Sequence, residues 1–370
     1  MAEPLKNLYG PDIPVKIAAM ISGVYSGFDK KAFITDCLDG YEALELMPRG
    51  WKIAHTLKRH LPGDFPEAIG ILVRSFEPVH QKTQGEGLAS FLYMPHAFFV
   101  AEYGLDHFEV SMRAQYEITQ RFTAEFSIRP FLEKHQARTL AHLRQWASDP
   151  DPHVRRLVSE GIRPRLPWAG RLREFQKNPA PVLELLELLK DDPELYVRRS
   201  VANNLNDIGK DHPDLLVQTA KKWMKGAGPD RKWIIRHALR SLIKQGNAGA
   251  LAVLGYAGTD GVVIRKKQIA PGKVSLGQTV EISFEVVNQS GERQRLMIDF
   301  RVHYVKASGK TGIKVFKLKA CLLGAEGKLL VTKKIALKDL TTRKHYPGLH
   351  RVDILLNGQV IGLGDFELRK

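Results

Sequence analysis

Two hydrophobic patterns divide the chain. Up to about residue 258, apolar residues return every three or four positions, the spacing that buries one face of a helix. This predicts helices over 12–27, 29–39, 48–61, 64–76, 106–119 and 121–133, many opening at Asp or just before Pro, with Gly and Pro punctuating between them. Beyond residue 258 the apolar positions alternate or run in short β-branched stretches. The pattern predicts strands over 262–264, 279–287, 295–304, 313–318, 328–336 and 348–356, separated by turns such as Asn288–Gly291, Ser308–Gly312 and Asn357–Gly358. The expected fold is multidomain: helices over 1–258, a short linker, and an all-β immunoglobulin-like sandwich of about seven strands over 263–370.

The helical region repeats. Asp149–Arg156 (DPDPHVRR) recurs as Asp192–Arg199 (DPELYVRR), and Ile235–Leu239 echoes it further on. Upstream, Ile128-Arg129-Pro130 matches Ile162-Arg163-Pro164. A period near 40 residues is that of stacked helix pairs, a HEAT-like solenoid in which the Asp-Pro before Val-Arg starts each second helix and the second helices line a concave wall.

Composition narrows the function. Residues 1–120 hold 11 basic and 15 acidic side chains, 121–261 hold 24 and 16, and 262–370 hold 21 and 9. A surplus confined to the middle and the C-terminal end points to a localised face for a polyanion, with nucleic acid favoured over an acidic protein or a membrane surface. No apolar run approaches the ~18 residues of a membrane span, and residues 1–14 lack the pattern of a signal peptide. The two cysteines, Cys37 and Cys321, lie far apart, which excludes a disulfide scaffold and fits a cytoplasmic location.

Several motifs carry little weight. Gly309-Lys310-Thr311 lacks the upstream Gly of a phosphate loop, Tyr304 standing there, and reads as a hairpin turn. Gly85-Glu86-Gly87 reads as a loop, and His55 and His60 miss the zinc spacing. No metal and no nucleotide cofactor is expected.

The arginines are more informative. Arg121, Glu125 and Arg129 fall at i, i+4, i+8; Arg156, Glu160 and Arg163 at i, i+4, i+7; Arg199, Asn203 and Asp207 at i, i+4, i+8. Each set is expected on one helix face. Stacked repeats would align the three into a basic trough carrying carboxylates at Glu125, Glu160 and Asp207. Surface ion pairing is the bland alternative. Arg155 and Arg198 are read as structural arginines bonding an Asp of a neighbouring repeat. In Arg163–Gly170 (RPRLPWAG) two prolines end the helix and put Trp168 on a loop at the rim, as packing or as a platform for a base or sugar. Trp223 and Trp233 read as core or interface residues.

The run Val154–Trp168 (VRRLVSEGIRPRLPW) resembles the signature of the AlkC-type alkylpurine DNA glycosylases. Thr123–Leu132 and Ser200–Asp207 match the same family's flanking repeats. The resemblance covers the whole helical region, and some members also carry a C-terminal immunoglobulin-like domain. The AlkD-type relatives share the fold, but their Trp-and-Asp order is not reproduced, since Trp168 follows Glu160.

The resemblance implies a monofunctional glycosylase acting on double-stranded DNA that contains alkylated bases. It would excise 3-methyladenine, and in this subfamily 3-methylcytosine and 1-methyladenine, without flipping the base into a deep pocket. The residues agree with that chemistry. Cleavage of the glycosidic bond gives the deoxyribose oxocarbenium character, which a nearby carboxylate stabilises while positioning water. An indole face favours a cationic base, and a poorly pairing lesion makes the duplex cheap to bend. Glu160 and Asp207 are the first choices for oxocarbenium stabilisation, Glu125 the supporting carboxylate and Trp168 the stacking group. Arg156, Arg163, Arg165 and Arg199 are expected on phosphates, Asn203 and Asn204 on backbone or base. The sandwich is expected to grip DNA or to serve as a stabilising appendage, and the protein to act as a monomer. The alternatives are a non-catalytic repeat protein that binds bent or branched nucleic acid, and a scaffold for acidic proteins; the latter predicts no salt-dependent DNA affinity.

Overall fold

The computed structural model describes residues 5–79, 89–256, 258–340 and 343–369. Gly85-Glu86-Gly87 lies outside the described residues. Among those described there are sixteen α-helices: α1 (Asp12–Ser22), α2 (Lys30–Leu38), α3 (Leu46–His60), α4 (Phe65–Arg74), α5 (Met94–Tyr103), α6 (Phe108–Thr119), α7 (Ile128–Lys134), α8 (Gln136–Trp146), α9 (Pro152–Gly161), α10 (Arg173–Lys177), α11 (Ala180–Leu189), α12 (Leu195–Asp211), α13 (Pro213–Met224), α14 (Pro229–Ala238), α15 (Arg240–Lys244) and α16 (Ala248–Val253). No described helix is long and apolar enough to cross a membrane.

Local chemistry explains many starts. Asp29, Asp64 and Asp151 each accept a hydrogen bond from a backbone N–H of the first turn, the standard N-cap. Pro66 and Pro152 stand in first turns, where no N–H is needed. Two expectations are corrected. Helix α5 was not anticipated, because Met94 to Val100 is buried on every side and shows no amphipathic period. The helix expected over 121–133 begins only at Ile128. Residues 121–127 form turns fixed by Thr123 and by Ser127, whose hydroxyl reaches Gln115 and the Ala124 carbonyl. Pro130 belongs in a first turn, so it was a usable signal for this later start.

The chain divides into two compact units: Met1–Asp211 with Ala227–Ala238, and His212–Gly226 with Leu239–Lys370. In the first, α9 packs on α12 and α12 on α14, the stacking of second helices that the repeat predicts. Arg155 bonds Asp192 at 2.7 Å and Arg198 pairs with Asp230 at 3.1 Å, each one repeat on, as expected of the structural arginines.

The described residues of the second unit hold eight strands: β1 (Val262–Ala270), β2 (Lys273–Ser275), β3 (Thr279–Asn288), β4 (Gln294–Val305), β5 (Thr311–Leu323), β6 (Lys328–Ala336), β7 (Gly348–Leu356) and β8 (Gln359–Arg369). They form a three-stranded sheet, β1-β3-β6, and a five-stranded sheet, β2-β8-β7-β4-β5. Phe284, Phe300 and Phe366 fill the core between them. Asn357 and Gly358, both left-handed, make the two-residue hairpin between β7 and β8. A Cβ on Gly358 would lie 2.7 Å from the Gly246 carbonyl, so only glycine admits that approach. Gly309 is left-handed in the β4–β5 turn, where the Lys306 N–H bonds the Lys310 carbonyl, so the lysine-threonine motif there is a hairpin. Helices α13, α15 and α16 belong to this unit, so the packing boundary differs from the 258/263 boundary drawn from periodicity. Trp223, on α13, is buried.

Candidate active site

In the first unit, a network of buried charge joins α9 and α12 to the 121–127 turns. Glu160 ends α9 and is 6% exposed. Its Oε1 accepts from Arg163 at 2.6 Å and lies 3.6 Å from Arg156. Its Oε2 accepts from the Ser200 hydroxyl at 2.6 Å, and Ser200 lies 2.7 Å from Ser159. Arg163 spans from Glu160 to Asp207, donating Nε to Asp207 at 2.8 Å, while Lys210 holds the other Asp207 oxygen at 2.8 Å. Arg156 pairs with both Glu160 and Glu125 and donates to Thr123 at 2.8 Å; Thr123 in turn donates to Glu125 at 2.9 Å. The order is Glu125–Arg156–Glu160–Arg163–Asp207, acid and base alternating.

The electrostatics follow. Burial works against the charge on Glu160, but Arg156, Arg163 and the Ser200 hydrogen bond outweigh it and hold the carboxyl below its usual range. Burial also opposes the charge on Arg156, and the two glutamates more than restore it. Glu160 is therefore an anion at neutral pH, fixed in direction and shielded from bulk water.

A cavity of about 350 Å³ opens onto this network. Glu125, Arg156 and Glu160 line it together with the aromatic residues Phe91, Phe122, Phe126, Tyr196 and Trp168. The Arg156 guanidinium lies 5.4 Å from the Tyr196 ring centroid. Trp168 is 63% exposed on the loop after α9, with φ at +63°. An aromatic residue in the left-handed region is strained, and here the strain falls on an exposed side chain of the site. A larger apolar cavity of about 630 Å³, walled by Ile69, Val73, Val110 and Trp146, shares no lining residue with this one. Its acid, Glu117, is spent on Arg121 at 2.9 Å.

Several expected roles change. Arg121, Glu125 and Arg129 share no helix face, since α7 starts after the first two. Arg163 is buried and Arg156 half-buried, and each guanidinium is engaged by two carboxylates rather than standing free on the surface as expected. Arg165 is half-buried on Asp211. Asn204 is wholly buried, donating to the Ser159 carbonyl at 2.8 Å, and is a structural tie between α9 and α12 rather than a DNA contact. Each i,i+4 step leaves roughly 40° of rotation, so the stripe on α12 turns inward. Arg199 is exposed with no ion pair among the described residues, Asn203 is half-buried beside His237, and Asp207 is 1% exposed. Asp207 thus stands behind Arg163 rather than on the cavity, and Glu125 takes the place beside Glu160.

Of the aromatic lining only Trp168 was expected from the sequence. Tyr196 had a signal: it precedes Val197-Arg198-Arg199 where His153 precedes Val154-Arg155-Arg156, and the two rings meet at 5.6 Å. Phe122 and Phe126 flank Glu125 in sequence, but only the turn that replaces the expected helix brings both to the cavity.

Comparison with known proteins gives a consistent picture. Residues 119–242 match the family model described as DNA alkylation repair enzyme, and 263–370 match the C-terminal Ig-like domain of YhaZ. The alkylpurine DNA glycosylase AlkC of Pseudomonas fluorescens, solved bound to DNA containing an abasic site analog, is 39% identical over the whole of both chains, with a TM-score of 0.89. A Bacillus subtilis (strain 168) protein, "Uncharacterized protein YhaZ", is 38% identical over 98% of this chain and 99% of its own.

Proposed function

The chain belongs to the AlkC-type alkylpurine DNA glycosylase family, and we propose that it excises cationic N3- and N1-alkylated bases, namely 3-methyladenine, 3-methylcytosine and 1-methyladenine, from double-stranded DNA. The observation that carries this reading is Glu160: a buried carboxylate, held ionised by two arginines, opening on an aromatic-walled cavity.

Alkylation at N3 or N1 leaves the base positively charged, so it departs as a neutral molecule and needs no general acid. The C1′–N bond breaks, its electron pair leaves with the base, and positive charge develops on the deoxyribose. Glu160 faces that charge as a fixed anion in a site of low exposure, where such stabilisation is strongest, with the Glu125 carboxyl beside it on the cavity. Water adds to C1′ and gives up a proton to a carboxylate or to solvent, leaving an abasic deoxyribose. Trp168 stacks on the cationic base or its sugar from the rim. Its exposure supports action without drawing the base into a deep pocket. Asp207 and Lys210 fix Arg163, and Arg163 fixes Glu160. Arg199, exposed on α12, meets the DNA backbone, with Asn203 beside it and held by His237. The basic sandwich supplies a second grip, and one copy of the chain suffices.

The test is base release from duplex DNA containing 3-methyladenine, comparing parent and Glu160→Gln. Release that collapses in the variant while DNA binding persists supports the reading. Release by both moves the role to Glu125. Tight, salt-sensitive binding without release by the parent favours a non-catalytic binder of bent or branched DNA.

A further inference from the structure

Arg129 is absent from the chemistry above, yet it is among the most deeply set cations of the first unit. It is the second residue of α7 and 5% exposed. Among the described residues its side chain donates to backbone carbonyls rather than to carboxylates. Nη1 donates to the Gly161 carbonyl at 3.1 Å and the Arg163 carbonyl at 2.9 Å, and Nη2 donates to the Gly170 carbonyl. Burial pulls its pKa down to about 10, still far enough above neutral for the guanidinium to stay charged.

The three carbonyls define a segment. Gly161 and Arg163 stand where α9 ends, and Gly170 stands where the chain turns towards α10. Between them runs the loop with Pro164, Pro167 and the left-handed Trp168. A helix leaves its last carbonyls without internal partners, and the prolines remove two N–H donors from the segment that follows. Arg129 supplies donors instead and ties both ends of the loop to one planar group. Gly161 makes this possible: a Cβ there would come within 2.6 Å of Ile128 Cγ2, so only glycine lets the start of α7 close on the end of α9. The repeat sharpens the contrast. Arg129 and Arg163 hold the same place in the Ile-Arg-Pro motif, yet Arg163 spends its donors on carboxylates and Arg129 on backbone.

We propose that Arg129 is a positioning residue that clamps the 161–170 loop and so holds Trp168 at the mouth of the cavity. This rests on the reading of Trp168 as the stacking group. Strain at Trp168 gives the clamp something to oppose, because a loop released at both ends relaxes out of the left-handed region first.

The test uses the full chain labelled with 5-fluorotryptophan, the Trp168 resonance being assigned by Trp168→Phe, and single-turnover excision of 3-methyladenine. In Arg129→Lys the Trp168 resonance should shift or broaden while the other four stay in place, and excision should slow roughly tenfold, the scale of a small misplacement at a reacting centre. In a Trp168→Ala background, Arg129→Lys should add no further loss. The same fractional loss in both backgrounds, or an unmoved Trp168 resonance, overturns the clamp. Arg129→Gln keeps two N–H donors without the charge and serves if the lysine variant does not fold; collapse of both assigns Arg129 to the core and overturns the proposal. Trp168→Ala excising at the parent rate would instead remove Trp168 from the chemistry, leaving the resonance shift to judge the clamp alone.

Discussion

The two units hold their positive charge in opposite ways. In the helical unit most arginines of the repeat motifs are engaged within the fold: Arg155, Arg156, Arg163 and Arg198 are each bonded to carboxylates or carbonyls of a neighbouring element, and Arg199 alone of the two Val-Arg-Arg runs is exposed. In the β unit Lys317, Lys319, Lys328, Lys333 and Lys334 are exposed and make no ion pair among the described residues. A count of charges gives both units the same sign and hides this difference. Buried arginines set geometry and keep carboxylates ionised, whereas exposed lysines create the field a polyanion senses at a distance. On the proposed function the first kind of charge serves catalysis and the second serves affinity.

Substitutions separate the two. The largest effect expected is on catalysis: Glu160→Gln should slow single-turnover excision by about 10²–10³-fold, the scale on which one preorganised electrostatic group acts, with DNA affinity within a few-fold of the parent. Next comes stability. Arg163→Met leaves Glu160 and Asp207 without their shared cation and should cost about 3–5 kcal/mol in denaturant unfolding; weaker DNA binding with unchanged unfolding would return Arg163 to the phosphates. Smaller again is the response to acid. Glu160 is held below its usual range, so its contribution to stability is complete above the unfolded carboxyl's pKa of roughly 4.3 and is lost as pH falls through the folded value. The stability gap between parent and Glu160→Gln should stay level from about pH 8 to 5 and close only below about 4, as read by melting across pH; a gap that closes near neutrality would reverse the sign assigned to Glu160. The smallest effect on the fold belongs to the lysines. Lys317→Glu with Lys319→Glu should leave stability within about 0.5 kcal/mol. The pair should also flatten the salt dependence of DNA binding, by about 0.9 in log–log slope for each phosphate no longer neutralised.

Much of this was legible in sequence because repetition exposes it. The Asp-Pro…Val-Arg-Arg period located the stacked helices and singled out Arg155 and Arg198 correctly, since a recurring residue at a recurring place answers to a recurring contact. Strand alternation located the sandwich, and Asn357-Gly358 its hairpin. The chemistry was legible in kind but not in order. Asp207 lies off the cavity because helix phase says which residues share a face and not how far that face turns inward over two turns, and Glu125 lies on it because its segment is a turn rather than the expected helix. Arg156 and Arg163 each share Glu160, a pairing the helical spacing offers, but their second carboxylates, Glu125 and Asp207, lie 31 and 44 residues away on other elements and leave no local trace. Helix α5 left no trace, since a segment buried all round has no polar side to mark its period.

Position 168 has one more consequence. A tryptophan held at φ +63° carries a backbone penalty that glycine would not, and selection for a robust fold alone would drift the site towards glycine. If Trp168 stacks on the lesion as proposed, that penalty is a cost to the fold that only the bound DNA offsets.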